Sequence, residues 1–140
     1  MESPRLQAFL ICDGALRDKT SGKIQITGVF DHIAVKELPA VHRHATVYVR
    51  LVLPQQMQGV EMGLAIVTPS GKRATTETHS YNASPGGVVE STSNLSEIQL
   101  PETGTYRFEL LVNGETLAEY GLDVVRNTAV DAVPAGATIH

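Results

Sequence analysis

The sequence predicts an all-β domain, an antiparallel sandwich of about seven to nine short strands. Three observations carry that expectation. Apolar residues recur at every second position through most of the chain, the mark of strands that bury one face. Turn-forming residues interrupt them at intervals of about ten residues. No segment sustains a helical period, so the crossover helices that a parallel sheet requires are not expected.

The first strand is expected over Leu6 to Asp13, where Phe9 and Ile11 alternate with Leu6, Ala8, Leu10 and Cys12. Apolar on both faces, it should be a central strand or one covered by a further segment on its second side. Lys23 to Phe30 follows after the turn-rich stretch Arg17 to Gly22. From Ala45 to Leu53 the alternation is cleanest, with Ala45, Val47, Val49, Leu51 and Leu53 facing in and Thr46, Tyr48 and Arg50 facing solvent. Val60, Met62, Leu64 and Ile66 repeat the pattern. After them, Arg73 to Ser80 carries nothing large to bury and reads as a polar edge strand. Tyr81 to Ser93 is too polar and glycine-rich to assign. Asn94 to Leu100 mixes two spacings, Leu95 to Ile98 and Ile98 to Leu100, and is taken as a strand. Two last alternating sets, Tyr106 to Val112 and Ala118 to Val124, flank Asn113-Gly114, whose residues both tolerate the positive φ of a two-residue type I′ turn. Thr68-Pro69-Ser70-Gly71 fits a type I turn.

With 140 residues, one domain is expected, with residues 1–126 forming the sandwich and 127–140 a loosely ordered tail. Apolar residues make up 42% and charged residues 19%, enough to build a core and too apolar for a disordered chain. Eleven basic against 15 acidic residues give a net charge of −4, which argues against nucleic acid as a partner. No export signal follows Met1, and no run approaches the roughly 18 apolar residues of a membrane span. The lone Cys12 forms no internal disulfide, which fits a cytoplasmic setting.

Leu100 to Phe108 has the form of the corner between sheets in immunoglobulin-like sandwiches, where a Tyr bonds back to nearby backbone. Here that Tyr is Tyr106, with Gly104 beside it, and the role is structural. Together with Cys12-Asp13, Gly22-Lys23, Gly28 to Asp31, Pro39 and Asn113-Gly114, these residues give the chain a resemblance over Leu6 to Val125. It resembles a family of small bacterial β-sandwich proteins of immunoglobulin-like architecture without an assigned activity. The resemblance implies a fold and a bacterial cytosolic setting, and no catalytic residue.

No nucleophile elbow, phosphate loop, paired-His zinc motif or EF-hand loop occurs in the sequence. Cys12 alternates with apolar neighbours and reads as a small buried hydrophobe. His42 and His44 are spaced to share one face of an extended segment, but two ligands are too few for zinc. Asp31-His32 would serve as an acid-base pair only if adjacent side chains met, which a regular strand prevents. Tyr48 and Tyr81 are the aromatic platforms a sugar site would use. The leading expectation is a non-enzymatic module without cofactor or metal, acting through contacts with a protein partner or a second copy. Its interaction edge is expected at Thr76 and Thr78 of the polar strand. The alternative is a small-molecule or metal-binding module built on His42, His44 and Asp31.

Overall fold

The computed structural model describes residues 3–127, which form ten strands and no helix. In chain order these are β1 (Arg5–Arg17), β2 (Ile24–Val29), β3 (His32–Val35), β4 (Ala40–Val52), β5 (Gly59–Val67), β6 (Arg73–Thr75), β7 (His79–Asn82), β8 (Val88–Leu100), β9 (Gly104–Val112) and β10 (Glu115–Arg126). One sheet has the order β2-β1-β4-β8, and the other runs β3-β10-β9-β5-β6, with β7 also paired to β5. The expected tail, 127–140, lies outside the described residues beyond Asn127.

Ten strands exceed the number expected for two reasons. The polar stretch after Gly71 divides into β6 and β7, and the chain crosses from β2 to the other sheet at Phe30-Asp31 to add β3. The strand β3 pairs parallel to β10, while every other pairing is antiparallel. It was invisible in the sequence because four residues are too few to show alternation.

The inward sets Ala45 to Leu53, Val60 to Ile66 and Tyr106 to Val112 form the core between the sheets, and Phe9 of β1 meets Tyr120 of β10 edge-on at 6.1 Å. At the corner, the Tyr106 hydroxyl donates to the Glu102 carbonyl at 2.7 Å and accepts from the Glu102 N–H at 3.1 Å. Gly104, at φ 127, seats its backbone against Pro69, leaving no room for a Cβ. Two facing sheets joined by this tyrosine corner make an immunoglobulin-like sandwich. The turn after β9 has φ 50 at Asn113 and 84 at Gly114, the signs a type I′ hairpin needs. The Gly71 N–H donates to the Thr68 carbonyl at 2.9 Å, closing the turn at Pro69-Ser70.

Both outward faces are better covered than alternation predicts. Thr46 is 2% and Tyr48 8% exposed, although both point away from the core and were expected in solvent. The cover comes from β1 itself. Ala8 pairs with Arg50, and Arg50 with Glu90, so a straight β1 would carry Arg17 about 30 Å from that row. Instead Arg17 reaches Glu90 at 3.8 Å, so the distal half of β1 folds back with β2. The bend falls at Asp13 and Gly28, which drop out of the β1–β2 pairing, and Gly28 has φ 69. On the other sheet Glu109, which the alternation of Tyr106 to Val112 turns outward, is 8% exposed, held at 3.1 Å by Arg73 and at 4.0 Å by Arg107.

Candidate functional site

An edge strand presents backbone groups that no neighbour pairs, and natural sheets usually shorten, bend or cover such edges. Among the described residues, β2, β3, β6 and β7 follow that rule at 6, 4, 3 and 4 residues. The last strand of the first sheet, β8, runs for 13 residues and pairs only with β4.

Its hydrogen-bonding parity shows which groups face outward. The Leu53 N–H donates to the Gly87 carbonyl, so that pair is a bonded one. Bonded and non-bonded pairs alternate along an antiparallel ladder, and the register runs Leu51↔Val89, Arg50↔Glu90, Val49↔Ser91 and Tyr48↔Thr92. Val89, Ser91, Ser93 and Leu95 therefore bond to β4, while Glu90, Thr92 and Asn94 turn their N–H and C=O groups away from it. Val88 fits this parity, since its outward carbonyl accepts from the Ser84 N–H at 2.8 Å.

Side chains follow the same alternation. Val89, Ser91, Ser93 and Leu95 point between the sheets, and the pattern then resets, so that Ile98 and Leu100 also point inward. The reset is at Glu97, with φ 53, which explains the three-residue spacing of Leu95 and Ile98. Its partner strand shifts with it. The β4–β8 pairing skips Arg43 and Glu97, Ala45 points inward, and His42 packs against the core ring of Phe30 at 5.5 Å.

Two serines at adjacent inward positions leave space. A cleft of about 190 Å³ opens there between β8 and the β5–β7 side of the other sheet, with Val47, Val49, Leu64, Leu95 and Leu110 among its walls and Ser91, Ser93 and Glu77 along it. On the outer side of the same strand, the Tyr48 hydroxyl donates to Glu90, and Arg50 and Arg17 lie 3.2 Å and 3.8 Å from its carboxylate. Burial, then the bond to Glu90, push the Tyr48 phenol above its ordinary range. Tyr48 is thus no exposed platform.

The residues expected to interact sit elsewhere. Arg73 to Ser80 is not one strand, because the chain leaves the ladder between β6 and β7. Thr76 is turned onto β5: its N–H donates to the Leu64 carbonyl at 2.8 Å, and its hydroxyl accepts from the Leu64 N–H at 3.0 Å. The methyl of Thr78 lies against Gly63. Thr76 thus spends its β5-facing groups on Leu64, at the outer end of the sheet. His42 and His44 were expected on one face, but the reset at Arg43 separates them. His42 faces Phe30, whereas His44 Nε2 lies 3.3 Å from the Thr46 hydroxyl on the outer face. Asp31 is exposed in the bend before β3 with its Oδ1 3.4 Å from His32 Nδ1, so these adjacent side chains do meet, in solvent. Among the described residues no three His, Cys, Asp or Glu side chains converge as metal ligands would. Cys12 is fully buried, and burial raises its thiol pKa.

The sequence did not single out Glu90, Thr92 and Asn94, nor Ser91 and Ser93. The one available signal was the alternation Val89, Ser91, Ser93, Leu95, which serine at the inward positions disguises.

No curated protein matches the chain. Among solved structures, it is similar to the alkylpurine DNA glycosylase AlkC of Pseudomonas fluorescens bound to DNA containing an abasic site analog, at a TM-score of 0.55 and 14% identity over 87% of this chain. The chain spans 30% of the glycosylase's length, and the likeness shows the fold alone. An immunoglobulin-like protein from Pseudomonas aeruginosa aligns with 88% of this chain and 97% of its own, at a TM-score of 0.39 and 19% identity. A family match covers residues 7–125, nearly the whole sandwich, and the chain accordingly belongs to DUF6941, a family of unknown function.

Proposed function

We propose that the chain is a non-enzymatic interaction module that takes an extended segment of a protein partner, or of a second copy, as an additional strand on β8. One observation supports the reading above others: the outward N–H and C=O groups of Glu90, Thr92 and Asn94 lie on a 13-residue strand that among the described residues has no neighbouring strand on its outer side at any point, whereas β1 is open only before Cys12 and β10 only before Asp123. Strand addition draws its affinity from such main-chain hydrogen bonds. A net charge of −4 disfavours a phosphate backbone as the partner. The reading keeps the cytosolic setting expected from the lone cysteine.

The test is Thr92→Pro. Proline there removes an outward N–H and no bond to β4, so the sandwich should stay folded while the added strand loses a donor. Tagged wild type and variant are compared in pull-downs from native lysate with mass spectrometry, and the purified chains in sedimentation velocity. A stoichiometric protein, or a dimer, seen with wild type and lost in Thr92→Pro is expected. Identical retention and identical mass for both would overturn the reading.

A further inference from the structure

We infer that the cleft beside β8 is a side-chain pocket, and that the segment added to β8 carries one aliphatic or phenyl side chain next to a basic residue. This deepens the strand-addition reading and rests on it.

A strand added to β8 would turn alternate side chains toward the space between the sheets. That space is where β8 withholds its own bulk. Its inward positions run Val89, Ser91, Ser93, Leu95, so two small side chains stand between two aliphatic ones. The void of about 190 Å³ has Val47, Val49, Met62, Leu64, Leu95 and Leu110 on its apolar walls, while Thr76, Glu77, His79, Ser91, Ser93 and Asn94 give it a polar side. An apolar cavity of about 150 Å³ accepts a benzene-sized guest, so this one accepts the side chain of Leu, Ile, Met or Phe.

The opposite lip of the cleft is the interruption between β6 and β7. There the chain leaves the ladder, and Glu77 stands exposed at the mouth, in no ion pair among the described residues. A carboxylate at the entrance of an apolar pocket, in a chain of net charge −4, favours a cation beside the anchor.

The test selects displayed random peptides of strand length against the full chain and measures the enriched peptides by calorimetry. A motif with one Leu, Ile, Met or Phe next to Lys or Arg is expected. Changing that anchor to Ala should weaken binding about tenfold or more. Ser93→Leu fills the pocket from within and should weaken binding by a similar factor without lowering its own thermal midpoint. Ser93→Val replaces it should the larger side chain prevent folding. Glu77→Gln should remove the preference for a basic neighbour.

Peptides without an apolar anchor, or equal binding to wild type and Ser93→Leu, would overturn the pocket. Strand addition would still stand if Thr92→Pro abolished binding of those same peptides. Binding lost in Ser93→Leu but unchanged in Thr92→Pro would refute strand addition and with it the peptide carried on β8. Failure to enrich any peptide would count against both.

Discussion

Tyr106→Phe isolates the corner on which the connection between the sheets depends. The ring is fully buried and Phe preserves its shape, so the change creates no cavity. What it removes is the hydroxyl, which donates to the Glu102 carbonyl at 2.7 Å and accepts the Glu102 N–H at 3.1 Å. Each bond contributes about 1 kcal/mol net, and both backbone groups lose their partner together, giving about 2 kcal/mol. Glu102 is half-exposed, so water can reach the freed groups and set a lower limit of about 1 kcal/mol. In a domain of this size about 2 kcal/mol lowers the thermal midpoint by roughly 6–10 °C. Urea unfolding should show the midpoint falling at an unchanged slope, since the surface exposed on unfolding is the same. Tyr81→Phe is the control, because its hydroxyl has no hydrogen bond among the described residues, and it should stay within about 0.5 kcal/mol of wild type. A Tyr106→Phe cost below about 0.5 kcal/mol would refute the corner as a source of stability.

The folded-back hairpin predicts unequal costs at two glycines. Gly28, at φ 69, would place a Cβ 2.2 Å from Asp13 Oδ2, while Gly22, at φ 75, has open space. Gly22→Ala should cost about 1 kcal/mol for its backbone and Gly28→Ala clearly more, up to about 3 kcal/mol, in urea titrations; equal costs would count against the bend. Alkaline pH should also destabilise the fold. The phenols of Tyr48, Tyr106 and Tyr120 are all raised above the ordinary value of 10.0, in each case chiefly by burial. A raised pKa means that the folded state holds its protons longer, so this stability is fully present below pH 10 and is lost as pH rises through the folded values. An unfolding free energy that stays level above pH 10, or a Tyr48→Phe variant with an undiminished decline, would contradict this.

Much of the fold was legible because alternation is a local property. Ala45 to Leu53 names its buried face without reference to any other strand, and Asn113-Gly114 names its turn. The double-sided apolarity of Leu6 to Cys12 called for a central or a covered strand, and β1 lies between β2 and β4 in its sheet. That the cover is the continuation of the same strand was not legible, since it depends on a bend at Gly28 and on the reach of Arg17 to Glu90. Local deviations misled where they reset the pleat. Glu97 at φ 53 made Leu95 and Ile98 look helical, and the paired shift at Arg43 moved His42 to the face opposite His44.

The candidate site was hidden for a different reason. An edge is defined by the neighbour it lacks, and neither parity nor composition reveals which strand comes last in a sheet. In the polar stretch, the Thr76 hydroxyl is spent on the Leu64 N–H of β5. In β8, polarity at Ser91 and Ser93 has a different consequence. Leucine there would fill the sandwich and gain apolar burial. Serine instead leaves a void beside an edge that no strand pairs anywhere along its length among the described residues. The open backbone and the open space lie on the same 13-residue strand, where one added strand would satisfy the first and fill the second.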